Sequence, residues 1–218
     1  MRKRAEDVER TRQRIVEAAV ELHGSTGIAA TSIAAIAERA GVTRLTVYRH
    51  FPDETALFTA CSTHWLGQQH LPRPQEWAAI ADPGERLRTG LADLYRFYRG
   101  GEQMLTRVVR DLHAVPEPIR HANEERERGF IDTLAGTGPL GEDRIRRAVV
   151  GHAVAFTTWQ SLCRGQGLDD AEAVEAMVAL VEAVGARGQA GHPGKAGHAE
   201  SSSAGTPANA GRQKPPRA

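Results

Sequence analysis

The sequence predicts an all-α protein, and three observations carry that prediction. Apolar residues recur at three- and four-residue spacing through most of the first 184 positions. Capping residues, prolines and glycines punctuate that pattern where helices should start and stop. No convincing run of two-residue alternation appears anywhere in the chain.

Taken in order, Thr11 to His23 carries Ile15, Ala18, Ala19 and Leu22 on one face, with Gly24 as a stop. Thr31 stands as the cap of a short helix with Ile33, Ile36, Ala37 and Ala40 inward, ended by Gly41. Thr43 caps another short helix through Arg49, and Pro52-Asp53 opens a longer one reaching about His70. Asp82-Pro83-Gly84-Glu85 combines an N-cap, a proline in the first turn and a glutamate at N3. The helix it opens, through Leu87, Leu91, Leu94 and Tyr98, is expected to end at Gly100-Gly101. Met104 to Leu112 follows, then Ile119 to Leu134 after the Pro116/Pro118 break. Asp143 to Cys163 and Asp169 to Val184 complete a set of about nine helices.

Composition narrows the class. The 218 residues are 40% hydrophobic and 25% charged, enough for a packed core, and the formal net charge is +1. Aromatic residues make up 5%, too few for a platform that stacks single-stranded nucleic acid. Cys61 and Cys163 cannot make a disulfide framework, so a reducing, cytoplasmic setting is expected. Met1-Arg-Lys-Arg runs straight into Glu6, Asp7 and Glu9, without the apolar stretch of a secretory signal. The apolar segment Ala148 to Cys163 is short for a membrane span, so no membrane association is expected. Residues 1–70 hold nine basic and eight acidic groups, 71–184 fourteen and eighteen, and 185–218 five and one. The last segment is Gly, Ala, Ser and Pro with little to bury, and reads as a disordered tail.

The informative stretch is Gly27 to Leu57. Two short helices separated by Ala40-Gly41-Val42 match helix-turn-helix spacing. The second offers Thr43, Arg44, Thr46, Tyr48, Arg49 and His50, while Val47 and Phe51 belong to the core side. Hydroxyls, a guanidinium and a phenol on one helix face suit a major groove and its phosphates, although a solvated amphipathic helix has the same pattern.

The run Thr31-Ser-Ile-Ala-Ala-Ile-Ala-Glu-Arg-Ala-Gly-Val-Thr-Arg-Leu-Thr-Val-Tyr-Arg-His-Phe-Pro-Asp-Glu-Thr-Ala-Leu57 resembles the signature of the tetracycline-repressor-like (TetR) family. Thr11 to Ala19 and Gly27 fit the same family, and the resemblance covers residues 8–68. It implies a bacterial, cytoplasmic, homodimeric repressor that binds a pseudo-palindromic operator in double-stranded DNA and is released by a small apolar ligand. It implies no enzyme activity, cofactor or metal. By position, Thr31 would cap and Ser32 hold a phosphate. Thr43 and Arg44 would reach bases, Thr46 a base or phosphate, and Tyr48, Arg49 and His50 the backbone. Three positions depart from the family pattern. Ala34 stands where an arginine is frequent. Leu45 replaces a small residue, and either meets a thymine methyl or packs under the helix. Glu54 occupies the place of a phosphate-gripping lysine, and is read as structural.

Residues 71–184 would then be the regulatory and dimerisation domain. The last two helices are apolar on more than one face, and in the family such a pair forms the dimer interface. Val150, Val154, Val174, Met177, Val178 and Val181 are the interface residues expected here. A ligand cavity would draw on Tyr95, Tyr98, Met104, Arg107, His113, Phe130, His152, Phe156 and Trp159, each of which is equally well ordinary core. Two other readings stay open: a regulator without a ligand, and a helical ligand carrier or enzyme whose N-terminal module no longer binds DNA. The nine histidines show no metal-ligand spacing, Gly136 to Gly141 has no strand before it, and no serine sits in a nucleophile elbow.

Overall fold

The computed structural model describes residues 2–137 and 143–190, and among them every regular element is helical. Among the described residues there are ten α-helices: α1 (Arg2–Ser25), α2 (Ile33–Ala40), α3 (Arg44–His50), α4 (Glu54–Leu66), α5 (Pro74–Ala78), α6 (Pro83–Arg110), α7 (Glu117–Ala135), α8 (Arg144–Val154), α9 (Phe156–Gln160) and α10 (Asp170–Ala190). A 3₁₀ turn (Leu112–Ala114) and a π turn (Ser161–Gly165) link α6 to α7 and α9 to α10.

Two separate hydrophobic clusters organise these helices. The first joins α1 to α4 through Ile15, Val16, Ala19, Ile36, Ala37, Val47, Phe51, Leu57 and Cys61. The second joins α5 to α10 through Trp77, Leu87, Leu91, Leu94, Tyr95, Leu134, Val150, Trp159, Val174 and Val178.

Several helix ends follow the local signals in the sequence. Asp53 Oδ1 accepts from the Ala56 amide at 2.7 Å, and Asp82 Oδ1 from the Glu85 amide at 2.7 Å. Asp143 caps α8 through the amides of Ile145 and Arg146. Asp169 and Glu172 satisfy each other's backbone N–H groups at 2.8 and 2.9 Å, a reciprocal capping box ahead of α10.

Other ends differ from expectation, each for a packing reason. Gly100-Gly101 does not stop the sixth helix, so Met104 to Leu112 is no separate helix and α6 runs 28 residues to Arg110. Gly101 is buried under the Trp65 ring, and a Cβ there would lie 3.0 Å from two ring atoms, so this glycine permits a close approach. The helix after Asp53 ends at Leu66 and not near His70. The short α5 gave only a proline as signal; it buries Trp77, whose indole N–H donates to Asp93 at 3.1 Å. The expected helix from Asp143 to Cys163 is broken at Ala155, whose ψ of 134° is extended. That break frees the carbonyls of Ala153 and Val154, and the hydroxyls of Tyr95 and Tyr98 donate to them at 2.9 and 2.5 Å. Burial pushes the pKa of both phenols up, so they remain donors.

At the far end, α10 continues through Gly185 to Ala190, six residues into the segment expected to be tail. The remainder of that segment, 191–218, lies outside the described residues.

Candidate DNA-binding surface and its connection to the second helical unit

The turn between α2 and α3 is closed locally. Gly41 adopts φ 64° and ψ 42°, a left-handed conformation that costs an L side chain about 1–2 kcal/mol. Its N–H and that of Val42 then reach back to the carbonyls of Glu38 and Ala37 at 3.0 and 2.9 Å. From α1, the Arg14 guanidinium donates to the carbonyls of Ala40 and Gly41, pinning the turn from below. Val47 and Phe51 are inserted into the first core, and Arg12 lies over the Phe51 ring at 5.0 Å.

With that side fixed, α3 presents Arg44, Leu45, Tyr48 and Arg49 outward. Leu45 is 76% exposed and Tyr48 54%, which removes the reading that Leu45 packs under the helix. Thr43 Oγ1 accepts from the Thr46 amide at 3.2 Å and lies 3.0 Å from the Thr46 hydroxyl, so both threonines form the N-terminal cap of α3. Thr46 and His50 are half-buried at the edge of the face. The cap of α2 is Ser32 and not Thr31: Ser32 Oγ accepts from the Ala35 amide at 3.1 Å. Thr31 turns inward and donates to the Gly27 carbonyl at 2.6 Å. Ala34 and Glu54 are both exposed, Glu54 in the first turn of α4.

Behind this surface, the C-terminal end of α6 holds the loop between α1 and α2. Arg107 donates twice to the Ser25 carbonyl, at 3.0 and 2.8 Å, and Arg110 reaches the Thr26 carbonyl at 3.2 Å. The buried Asp111 carboxylate accepts from the Ala29 amide at 3.2 Å and from Arg110 at 2.7 and 2.9 Å. Chiefly the Arg110 hydrogen bonds hold this carboxyl well below the usual carboxylate range. Gly27 fits beneath the pair because it has no side chain: at φ 106°, a Cβ would stand 1.9 Å from an Arg110 nitrogen. Sequence reading missed this grip, since nothing near Asp111 marks a partner 82 residues away.

The residues expected to line a ligand cavity fall into separate places. Tyr95, Tyr98, Phe156 and Trp159 share one aromatic cluster, with Phe156 and Trp159 stacked at 5.6 Å. Phe130 lies against Trp77 at 5.5 Å. Met104 approaches Gly24 and Arg107 belongs to the grip just described. His113 and His152 are exposed. The cluster extends through Phe97 to Trp65 on α4, at 5.8 and 6.0 Å between rings; these two half-buried aromatics were not singled out from sequence. One hollow of about 640 Å³ lies between α1 and α4 and has a mixed lining that includes Arg12, Asp53, Thr59 and His64 beside Val16 and Ala60. A second, of about 410 Å³, is bordered by Arg99, Glu102, Gln103 and Arg107. Of the nine expected ligand residues, only Arg107 borders either.

The six residues expected at the dimer interface are buried within the single chain. Val150, Val154, Val174, Met177, Val178 and Val181 are each at most 8% exposed within a single chain. They pack in the protein's own second core, against α6. The outward faces of α8 and α10 carry Ile145, Ala148 and His152, and Ala176, Leu180 and Ala183.

A capped helix pair crossing at a left-handed glycine, with the second helix presenting an arginine and a tyrosine, is the arrangement that comparison with known proteins places. Residues 15–61 match the family model described as bacterial regulatory proteins, tetR family. The chain is 38% identical over 151 residues to the HTH-type transcriptional regulator TtgR of Pseudomonas putida, a match covering 67% of this chain and 71% of that one. The chain belongs to the TetR family of transcriptional regulators.

Among other relatives, the regulator AcrR of Shigella flexneri is 41% identical over 58 residues, a match spanning only 27% of each chain. The crystal structure of NalD, the secondary repressor of the MexAB-OprM multidrug efflux pump in Pseudomonas aeruginosa, superposes with a TM-score of 0.51. That comparison has 25% identity and covers 82% of this chain and 96% of NalD. A TetR-family regulator from Streptomyces coelicolor gives a TM-score of 0.57 at 21% identity, over 82% and 83% of the two chains, and shares the fold. The matched family is one of bacterial regulatory proteins, and TtgR is a transcriptional regulator. No helix among the described residues is long and apolar enough to cross a membrane.

Proposed function

We propose that this TetR-family member is a homodimeric repressor. Residues 8–68 would bind a pseudo-palindromic operator, and residues 71–184 would carry dimerisation and a site for a small apolar ligand that releases the DNA. The observation that carries the reading is the outward face of α3, where Arg44, Leu45, Tyr48 and Arg49 project from a helix whose other side is locked into a core. A short helix of that kind enters a major groove with its N-terminal residues at the bases. Ser32 stands at the start of α2, where a phosphate would be met. His50 and the hydroxyls of Thr43 and Thr46 lie at the rim for phosphate or base contact, and Thr31 supports the loop.

Dimerisation would use the outward faces of α8 and α10, bringing Ile145 and Leu180 against their copies and setting the two α3 helices about 34–36 Å apart. The ligand would lie against the half-buried aromatic residues Trp65, Phe97 and Phe156. The relatives support this reading in kind: NalD is a repressor of an efflux pump, and the FadR regulator of Bacillus subtilis has been crystallised with stearoyl-CoA. Motion of α6 would reach the DNA-binding helices through Arg107, Arg110 and Asp111. A differential affinity of about 1–3 kcal/mol between the two states suffices to weaken DNA binding 5- to 150-fold.

The test is a selection of bound duplexes from a random pool, followed by a binding titration. Arg44→Ala should cost about 1–3 kcal/mol on the selected operator and relax one base position. If affinity and selected motif are both unchanged, α3 does not enter the groove.

A further inference from the structure

Leu45 has the greatest exposure of any large hydrophobic side chain among the described residues, at 76%. An exposed leucine alone is ordinary on a protein surface. This one is the second residue of α3, between Arg44 and the cap hydroxyls of Thr43 and Thr46 on one side and Tyr48 and Arg49 on the other. Every neighbour on that face is polar, so no apolar patch of the protein itself covers it. Its isobutyl group has no hydrogen-bonding atom and can read a base only by apolar contact. In a major groove, the apolar group that an ordinary base pair presents is the C5 methyl of thymine.

We propose that Leu45 is a specificity-determining residue that selects a thymine in each operator half-site by packing on its C5 methyl. The inference rests on the assignment of α3 to the major groove. It adds that one base is chosen by a methyl contact and not by a hydrogen bond.

Chemistry on the DNA separates the two claims. Operators selected by the full-length protein are resynthesised with deoxyuridine in place of each thymine in turn, which deletes the methyl and leaves the Watson–Crick pairing intact. One position per half-site should weaken binding about fourfold, the equivalent of about 0.8 kcal/mol for one buried carbon. Restoring a methyl there as 5-methylcytosine, in a C·G pair, should recover part of the loss relative to cytosine. For Leu45→Ala, the same deoxyuridine operator and its thymine parent should bind alike. The side chain is solvent-exposed, so an unchanged melting temperature of the variant verifies that its fold is intact. The proposal is overturned if no thymine-to-uridine change matters to the wild type, if Leu45→Ala keeps the same sensitivity, or if the selected half-sites contain no shared thymine. Selection of no motif at all overturns the groove assignment as well.

Discussion

The end of α2 and the end of α8 solve the same problem in opposite ways. Both helices stop inside the folded chain and leave carbonyls without intrahelical partners. At α2 the solution is local: Gly41 turns left-handed, and its amide and that of Val42 close the last turn. At α8 the solution comes from another helix, with Tyr95 and Tyr98 of α6 delivering hydroxyls to Ala153 and Val154 across 58 and 56 residues of sequence. A local closure can be read from three consecutive letters. A distant one cannot, because nothing near Ala155 announces the tyrosines and nothing near the tyrosines announces a broken helix.

The largest effect expected from this contrast falls on the first core and depends on pH. His23, in the last turn of α1, is buried beside Phe58, and burial lowers its pKa from 6.5 to about 4. The unfolded chain takes up a proton near pH 6.5 that the folded chain refuses until about pH 4. Stability is therefore full above pH 6.5 and falls as pH drops toward 4, by up to about 3 kcal/mol. Urea unfolding of wild type and His23→Leu across that window should show the wild type losing more. Parallel losses would acquit His23.

Next in size is the distant closure itself. Tyr98→Phe keeps the ring and removes the donor, leaving the Val154 carbonyl buried without it, at a cost of about 1–3 kcal/mol. The matching test of the local closure is Gly41→Ala, at about 1–2 kcal/mol. Denaturant midpoints for the two variants rank the closures, and a neutral Tyr98→Phe would mean that water replaces the hydroxyl at the break.

The smallest effect concerns charge at the edge of the proposed DNA-binding surface. Glu54 stands in the first turn of α4, where an acid favours the helix by about 0.3–1 kcal/mol. Glu54→Lys should give up that increment, tighten DNA binding and steepen its salt dependence by up to about one unit. An unchanged slope would place residue 54 away from the phosphates.

Legibility in the sequence tracked the same division. Thr43, Asp53, Asp82, Asp143 and Asp169 act within three residues of themselves, and the helices they open began where the sequence placed them. The face of α3 was legible too, since Val47 and Phe51 had to point one way and Arg44 and Tyr48 the other. Gly101 misled because a glycine signals a stop and a close approach with the same letter, and only the Trp65 ring decides which. The valines of α8 and α10 carry a similar ambiguity. An apolar face marks burial but does not say whether the partner is α6 or a second copy.

One consequence of α6 reaches beyond its own domain. At 28 residues it is a rod about 42 Å long, with the aromatic cluster near its middle and the hold on Ser25, Thr26 and Ala29 at its far end. A rod converts a small tilt at its middle into a larger sideways step at its tip, without bending. What it meets there is a handful of hydrogen bonds around a glycine, several of them made by an arginine or a carboxylate. Under the proposed switch the junction would act as a slipping clutch, passing a tilt of α6 to the loop between α1 and α2 only for as long as those bonds hold.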